Sequence, residues 1–206
     1  MSRLFGLAAM IFVAAITPGP NNLAVLNAAA QRGAAGAGSA IAGVLIGSLT
    51  LLAVALGGAG TLFATQPWLR DGLSVLGCGY LIWLGGKMIA PRLWSRSRPT
   101  HATVPIGVAP LIGLQFTNPK AWVMVLTAVA SARGAMTPAA AALALSVLFL
   151  TIPTVCLVAW AWLGLRVLRR LERPASREWF DRLLGILLVS SALGLLADVT
   201  HWSMPR

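Results

Sequence analysis

Six apolar stretches, each near the length that crosses a bilayer, follow one another along this chain of 206 residues. They are about Leu4–Asn27, Ser39–Phe63, Trp68–Ile89, Leu111–Ala132, Ala139–Leu163 and Leu183–Val199. A span needs about 20 mostly apolar residues. Lipid offers no hydrogen bonds, so such segments must be helices that satisfy their own backbone. Six of them leave short loops and no room for a separate soluble domain. Composition agrees: 58% of residues are hydrophobic and 10% charged, against about 45–50% and 25% in soluble chains. Ample apolar surface also excludes intrinsic disorder. The sequence predicts an all-α polytopic membrane protein of six transmembrane helices, with the lipid bilayer as its surroundings.

The net charge of +11 raises nucleic acid as a partner. A nucleic-acid binder gathers Lys and Arg on one solvated face. Here they sit between apolar runs, where membrane topology puts them, so no nucleic-acid partner is expected. Loops after the first, third and fifth runs carry eleven basic residues, and the opposite side carries four, Arg3, Arg70, Arg133 and Arg206. The positive-inside rule then places both termini outside the cell. Leu165–Leu184 mixes Arg with Leu, Trp and Phe, and is expected to lie along the cytoplasmic surface, split at Pro174. Trp68, Trp94, Trp160, Trp162, Trp179 and Trp202 fall near run ends, as interfacial anchors do. Cys78 and Cys156 both lie inside apolar runs, without disulfide or metal spacing.

Two runs are interrupted. The first breaks at Thr17-Pro18-Gly19-Pro20-Asn21-Asn22, and the fourth at Thr117-Asn118-Pro119-Lys120, one hundred residues on. A signal peptide could begin like Arg3 and its apolar stretch. Its cleavage site would not be followed by a polar element and then more apolar sequence. A basic-glycine pair follows each break, Arg32-Gly33 and Arg133-Gly134. Three runs per half give the halves opposite orientation. The chain thus reads as one membrane domain, 1–206, of two inverted three-helix repeats, about 1–90 and 111–206. Helices 1 and 4 are broken, and a cytoplasmic linker covers about 91–110. Secondary transporters build midplane binding sites in this way. Gly43 and Gly47 share a helix face and favour close packing.

Proline removes a backbone donor, and at membrane depth the freed carbonyls survive only inside protein or beside a water-filled cavity. The helix ends exposed there suit a zwitterion, amides for a carboxylate and carbonyls for an ammonium. Pro18, Gly19, Pro20, Asn21, Asn22, Asn118, Pro119 and Lys120 are therefore candidate substrate-binding residues. Lys120 is the one basic residue within a run's core, and an intramembrane charge marks function by default. Asp198 lies near a run end and reads as interfacial. Tyr80, Ser48, Thr50, Thr127 and Thr154 are further polar groups of a cavity or of helix contacts. No catalytic motif, metal spacing or nucleotide-binding loop occurs, so neither an enzyme nor a cofactor is expected.

Three elements resemble the LysE/RhtB family of amino-acid exporters: Thr17-Pro18-Gly19-Pro20-Asn21, then Gly77-Cys78-Gly79-Tyr80-Leu81-Ile82-Trp83-Leu84-Gly85, then Gly113-Leu114-Gln115-Phe116-Thr117-Asn118-Pro119-Lys120-Ala121. The resemblance implies an exporter of amino acids or close derivatives in the bacterial inner membrane, driven by the proton gradient. It carries over Pro18, Gly19, Pro20, Asn21, Tyr80, Asn118, Pro119 and Lys120 as site residues. Trp122 is bulky for its place and is expected to restrict the cavity. A metal ion or polyamine as solute would want buried carboxylates, which are scarce. An intramembrane enzyme or assembly factor would show no flux. The substrate's identity stays open, and so does assembly into a homo-oligomer.

Overall fold

In the computed structural model the described residues are 2–59, 65–90, 107–132, 136–168 and 174–202. They form seven α-helices: α1 Ser2–Ile16, α2 Pro20–Val54, α3 Pro67–Ile89, α4 Val108–Thr117, α5 Pro119–Ala132, α6 Pro138–Leu168 and α7 Pro174–Trp202. A π-helical turn, Ala55–Ala59, continues α2. Five helices open on a proline. Proline's fixed φ suits the first helical position, and its missing N–H costs nothing there. It also pushes the preceding residue to extended backbone, as at Gly19 (φ −169°, ψ 177°) and Asn118 (φ −89°, ψ 105°).

Both expected interruptions are present. Break one separates α1 from α2 at 17–19, and break two separates α4 from α5 at Asn118. The turn expected between the first two runs is present as well. It falls at Gly33, whose φ of 67° and ψ of −153° leave the helical region and suit glycine, and it divides α2 into two arms that fold back on each other, since a Cβ on Gly36 would lie 2.5 Å from Ala28 O. Alanines at 28–30 and 34–35 favour helix on both sides, so a single residue makes the bend. The stretch expected to be split at Pro174 belongs to two helices. Leu165–Leu168 ends α6 and Pro174–Leu184 opens α7. Most of the expected linker, 91–106, lies outside the described residues.

α2 and α6 are each long and apolar enough to cross a membrane, while α1, α4, α5 and the apolar part of α3 are shorter. On α6, Ala141, Leu145, Phe149, Cys156, Leu157 and Ala161 face the core. Leu143, Val147, Leu150, Val155, Val158 and Trp162 are exposed on the other side. A helix apolar all round yet half exposed needs an apolar solvent.

Close crossings rest on glycine. A Cβ on Gly43 would meet Val108 O at 2.7 Å, and one on Gly47 would meet Gln115 Cγ at 2.6 Å, so α2 lies directly on α4. Gly164 brings α6 within 2.3 Å, by the same measure, of Leu26 O in α2. Between α3 and α7 the contact is reciprocal. Gly85 faces Gly185 O, Leu188 and Val189, and Gly185 faces Gly85 O, Met88 and Ile89.

Two apolar cores result. The larger joins the first arm of α2 (Leu23, Val25, Leu26) to α3, α4, α6 and α7. The smaller joins α1 (Leu7, Ile11) and α5 (Val125, Val129) to the end of α2 and the start of α6. Each broken run thus contributes one half to each core, and both breaks fall where the cores meet.

Candidate functional site

The end of α1 frees carbonyls that the following prolines, having no N–H, cannot bond. Four helices supply partners. Asn22 Nδ2, in α2, donates to Ala15 O and Thr17 O, each at 2.8 Å. Trp160 Nε1, in α6, donates to Ile16 O at 3.3 Å. Ser191 Oγ, in α7, donates to Pro18 O at 3.4 Å. Lys120 Nζ, in α5, donates to Thr17 O at 3.0 Å. The lysine therefore reaches from one break to the other and does not snorkel away from the site. Gly19 leaves it room, since a Cβ there would lie 3.3 Å from Nζ.

Break two is capped from within. Asn118 Oδ1 accepts from the Lys120 backbone N–H at 3.1 Å, and Asn118 O accepts from the N–H groups of Ala121 and Trp122. This is the capping role for which Asn is favoured at a helix start. Across the gap, Asn118 Nδ2 donates to Asn21 Oδ1 at 3.3 Å, and Asn21 Nδ2 donates to Gln115 Oε1 at 3.0 Å. The helix starts at Pro20 and Pro119 converge here, with the positive ends of their dipoles beside the ammonium.

A cavity of about 40 Å³ lies between the breaks. It has room for a few waters and is far below the roughly 300–1,000 Å³ of a ligand pocket. Gly19, Pro20, Asn21, Asn22, Asn118 and Lys120 line it. Its other walls come from Ala14, Ala15, Val44, Ser48, Ala121, Met124, Pro153 and Leu157. The lining holds one cation and no carboxylate among the described residues.

Six of the nine residues expected at the site are thus brought together, and three stand outside the lining. Pro18 is exposed, and Pro119 is buried behind the cavity, close to Gly77. Tyr80 packs on the larger core, its ring centroid 5.8 Å from that of Trp83. The motif around Tyr80 reaches the site through Gly77 instead, where a Cβ would fall 1.7 Å from Thr117 O. Trp122 does not restrict the cavity as expected. It is a buried residue of α5, edge-on to Phe116, and donates from Nε1 to Phe116 O at 2.8 Å. Thr50 and Thr154 bond carbonyls of their own helices. The side chain of Asp198 lies outside the described residues.

Gln115 is the buried polar residue beside the cavity that the sequence reading passed over. It is fully buried and donates from Nε2 to Val44 O at 3.0 Å and to Ser48 Oγ at 2.8 Å. The signal was present: an amide in an otherwise apolar run, where an unpaired polar group costs several kcal/mol.

A family model described as LysE type translocator matches residues 12–199. The leucine efflux protein of Salmonella typhimurium is 39% identical over 109 residues, 52% of this chain and 51% of that protein. Its counterpart in Klebsiella pneumoniae is 38% identical over the same length. The cysteine/O-acetylserine efflux protein of Salmonella typhimurium is 31% identical over 183 residues, 88% of this chain and 91% of that protein. The chain therefore spans about half the length of the leucine efflux proteins and most of the length of the second kind. These relatives are transporters rather than enzymes. No solved structure matches the chain. The match over nearly the whole length, with both broken helices inside it, places this chain in the LysE type translocator family.

Proposed function

We propose that this protein exports small neutral amino acids across the bacterial inner membrane, coupled to the proton gradient, through the small cavity between its two broken helices. One observation carries the reading: Lys120 of break two bonds Thr17 O of break one at 3.0 Å, beside Asn21, Asn22 and Asn118. Ammonium and amides suit a carboxylate, and the apolar remainder of the lining suits an aliphatic side chain. The relatives' names, leucine and cysteine/O-acetylserine efflux protein, support that substrate class.

The architecture belongs to the same proposal. Six spans form two inverted repeats, the first being α1 with the first arm of α2 and the fourth being α4 with α5. The reciprocal contact of Gly85 and Gly185, one hundred residues apart like the two breaks, supports this pairing. Both termini lie outside, on the distribution of basic residues.

Efflux from proteoliposomes tests the function, with leucine, cysteine and O-acetylserine as substrates, with and without a pH gradient. Saturable flux stimulated by the gradient is expected. Saturable flux of equal rate without it would remove the coupling, and no flux of any amino acid would remove the function.

A further inference from the structure

The two ends of a side-chain amide match in shape and differ in chemistry, so their orientation follows from partners with only one role. Two such partners bracket a run of amides in the site. At one end, Val44 O can only accept, and Gln115 Nε2 donates to it at 3.0 Å. The same nitrogen donates to Ser48 Oγ at 2.8 Å, which uses its second hydrogen. Gln115 Oε1 therefore faces Asn21 Nδ2, at 3.0 Å. That turns Asn21 Oδ1 toward Asn118 Nδ2, at 3.3 Å. At the other end, the Lys120 N–H can only donate, and Asn118 Oδ1 accepts it at 3.1 Å. Both ends impose the same direction on the run. Every amide oxygen in the run then has a donor, and one N–H each on Asn21 and Asn118 is left over beside the Lys120 ammonium.

Asn22 is oriented independently. Its Nδ2 spends both hydrogens on Ala15 O and Thr17 O, two groups that only accept. Its Oδ1 has no partner among the described residues. Asn22 is 4% exposed and lines the cavity.

The geometry points to a site sorted by charge. Asn21, Asn118 and Lys120 hold the α-carboxylate of an amino acid, and Asn22 Oδ1 receives its α-ammonium. Gln115, fully buried behind the lining, is a positioning residue that keeps the donors turned to the cavity. This assignment rests on the amino-acid export reading above.

The test measures competition against leucine transport in proteoliposomes of the unaltered protein. The competitors are 4-methylpentanoate, which is leucine without its ammonium, and leucinamide, which lacks the carboxylate. Each is expected to compete at least about tenfold more weakly than leucine, the loss of a hydrogen bond to a charged group. Equal competition by 4-methylpentanoate overturns the role of Asn22. Equal competition by leucinamide overturns the donor end. Absence of leucine transport and of all competition overturns the export reading, and this assignment with it.

Variants add a readout that a general folding defect would not give. Asn22→Ser should weaken leucine about tenfold and leave 4-methylpentanoate unchanged, whereas a structural defect weakens both. Gln115→Leu should bring leucine and leucinamide toward equal competition. An unchanged ratio in that variant overturns the positioning role. The analogue comparison on the unaltered protein decides the charge sorting whether or not either variant inserts.

Discussion

The two breaks occupy matching places and are built in opposite ways. Break one leaves residues 17–19 out of helix, and its carbonyls are held by side chains from four helices. Break two is a single residue, Asn118, which caps the following helix with its own carbonyl and amide. Gly77 of α3 then closes on it. One break is therefore held at a distance, and its geometry depends on how α2, α5, α6 and α7 sit. The other is set locally and carries its geometry with it. A helix movement that opens the cavity would alter the partners of break one first and leave the Asn118 cap intact.

The largest expected effect comes from cutting the link between the breaks. Lys120→Met keeps the aliphatic stem and removes both the charge and the bond to Thr17 O. Insertion should persist, because a buried lysine disfavours insertion by about 2.5–3.5 kcal/mol and methionine does not. Transport should fall to background in proteoliposomes at equal protein. Lys120→Arg should also transport poorly, since a planar fork does not replace a compact ammonium. Export by Lys120→Met at the unaltered rate would mean that the breaks are joined for packing alone.

Next is the locally built break. Gly77→Ala places a methyl where Thr117 O now lies, so the backbone of break two or the approach of α3 must give. A destabilisation of about 1–3 kcal/mol or more is expected from overpacking, read as a lowered melting temperature in detergent. An unchanged melting temperature would show that break two is not fixed by α3.

The smallest effect lies at break one. Ser191→Ala removes one of several side-chain bonds to its carbonyls, a long one at 3.4 Å. The cost should be about 0.5–1.5 kcal/mol or less. The loss should appear as faster hydrogen exchange around 17–23 with little change in overall stability. If Ser191→Ala destabilised as much as Gly77→Ala, the contrast between distant and local support would collapse.

Both breaks were legible in the sequence because proline and asparagine inside apolar runs have few other meanings. Lys120 was legible for the same reason, as a charge with no cheap place to go. The rotation of helices about their axes was not. Trp122 follows Lys120 by two residues and Tyr80 follows Gly77 by three, and only packing shows that Trp122 turns to Phe116 and Tyr80 to the larger core. Gln115 needed the close approach of α2 at Gly43 and Gly47 before its partners, Val44 and Ser48, could be seen. The turn after the first run was legible in Arg32-Gly33, where glycine takes a backbone conformation closed to other residues and ends one helical arm before the next begins.

The central claim is that substrate sits between the breaks, and thiol protection tests it most directly. Ala14→Cys on the α1 wall and Ala121→Cys on the α5 wall would each be placed in a protein whose Cys78 and Cys156 are replaced by alanine. Labelling by a small thiol reagent is followed with and without saturating leucine, in variants that still transport it. The account predicts that leucine slows labelling at both positions. Labelling at the same rate with and without leucine at both positions, in protein that transports, would contradict it.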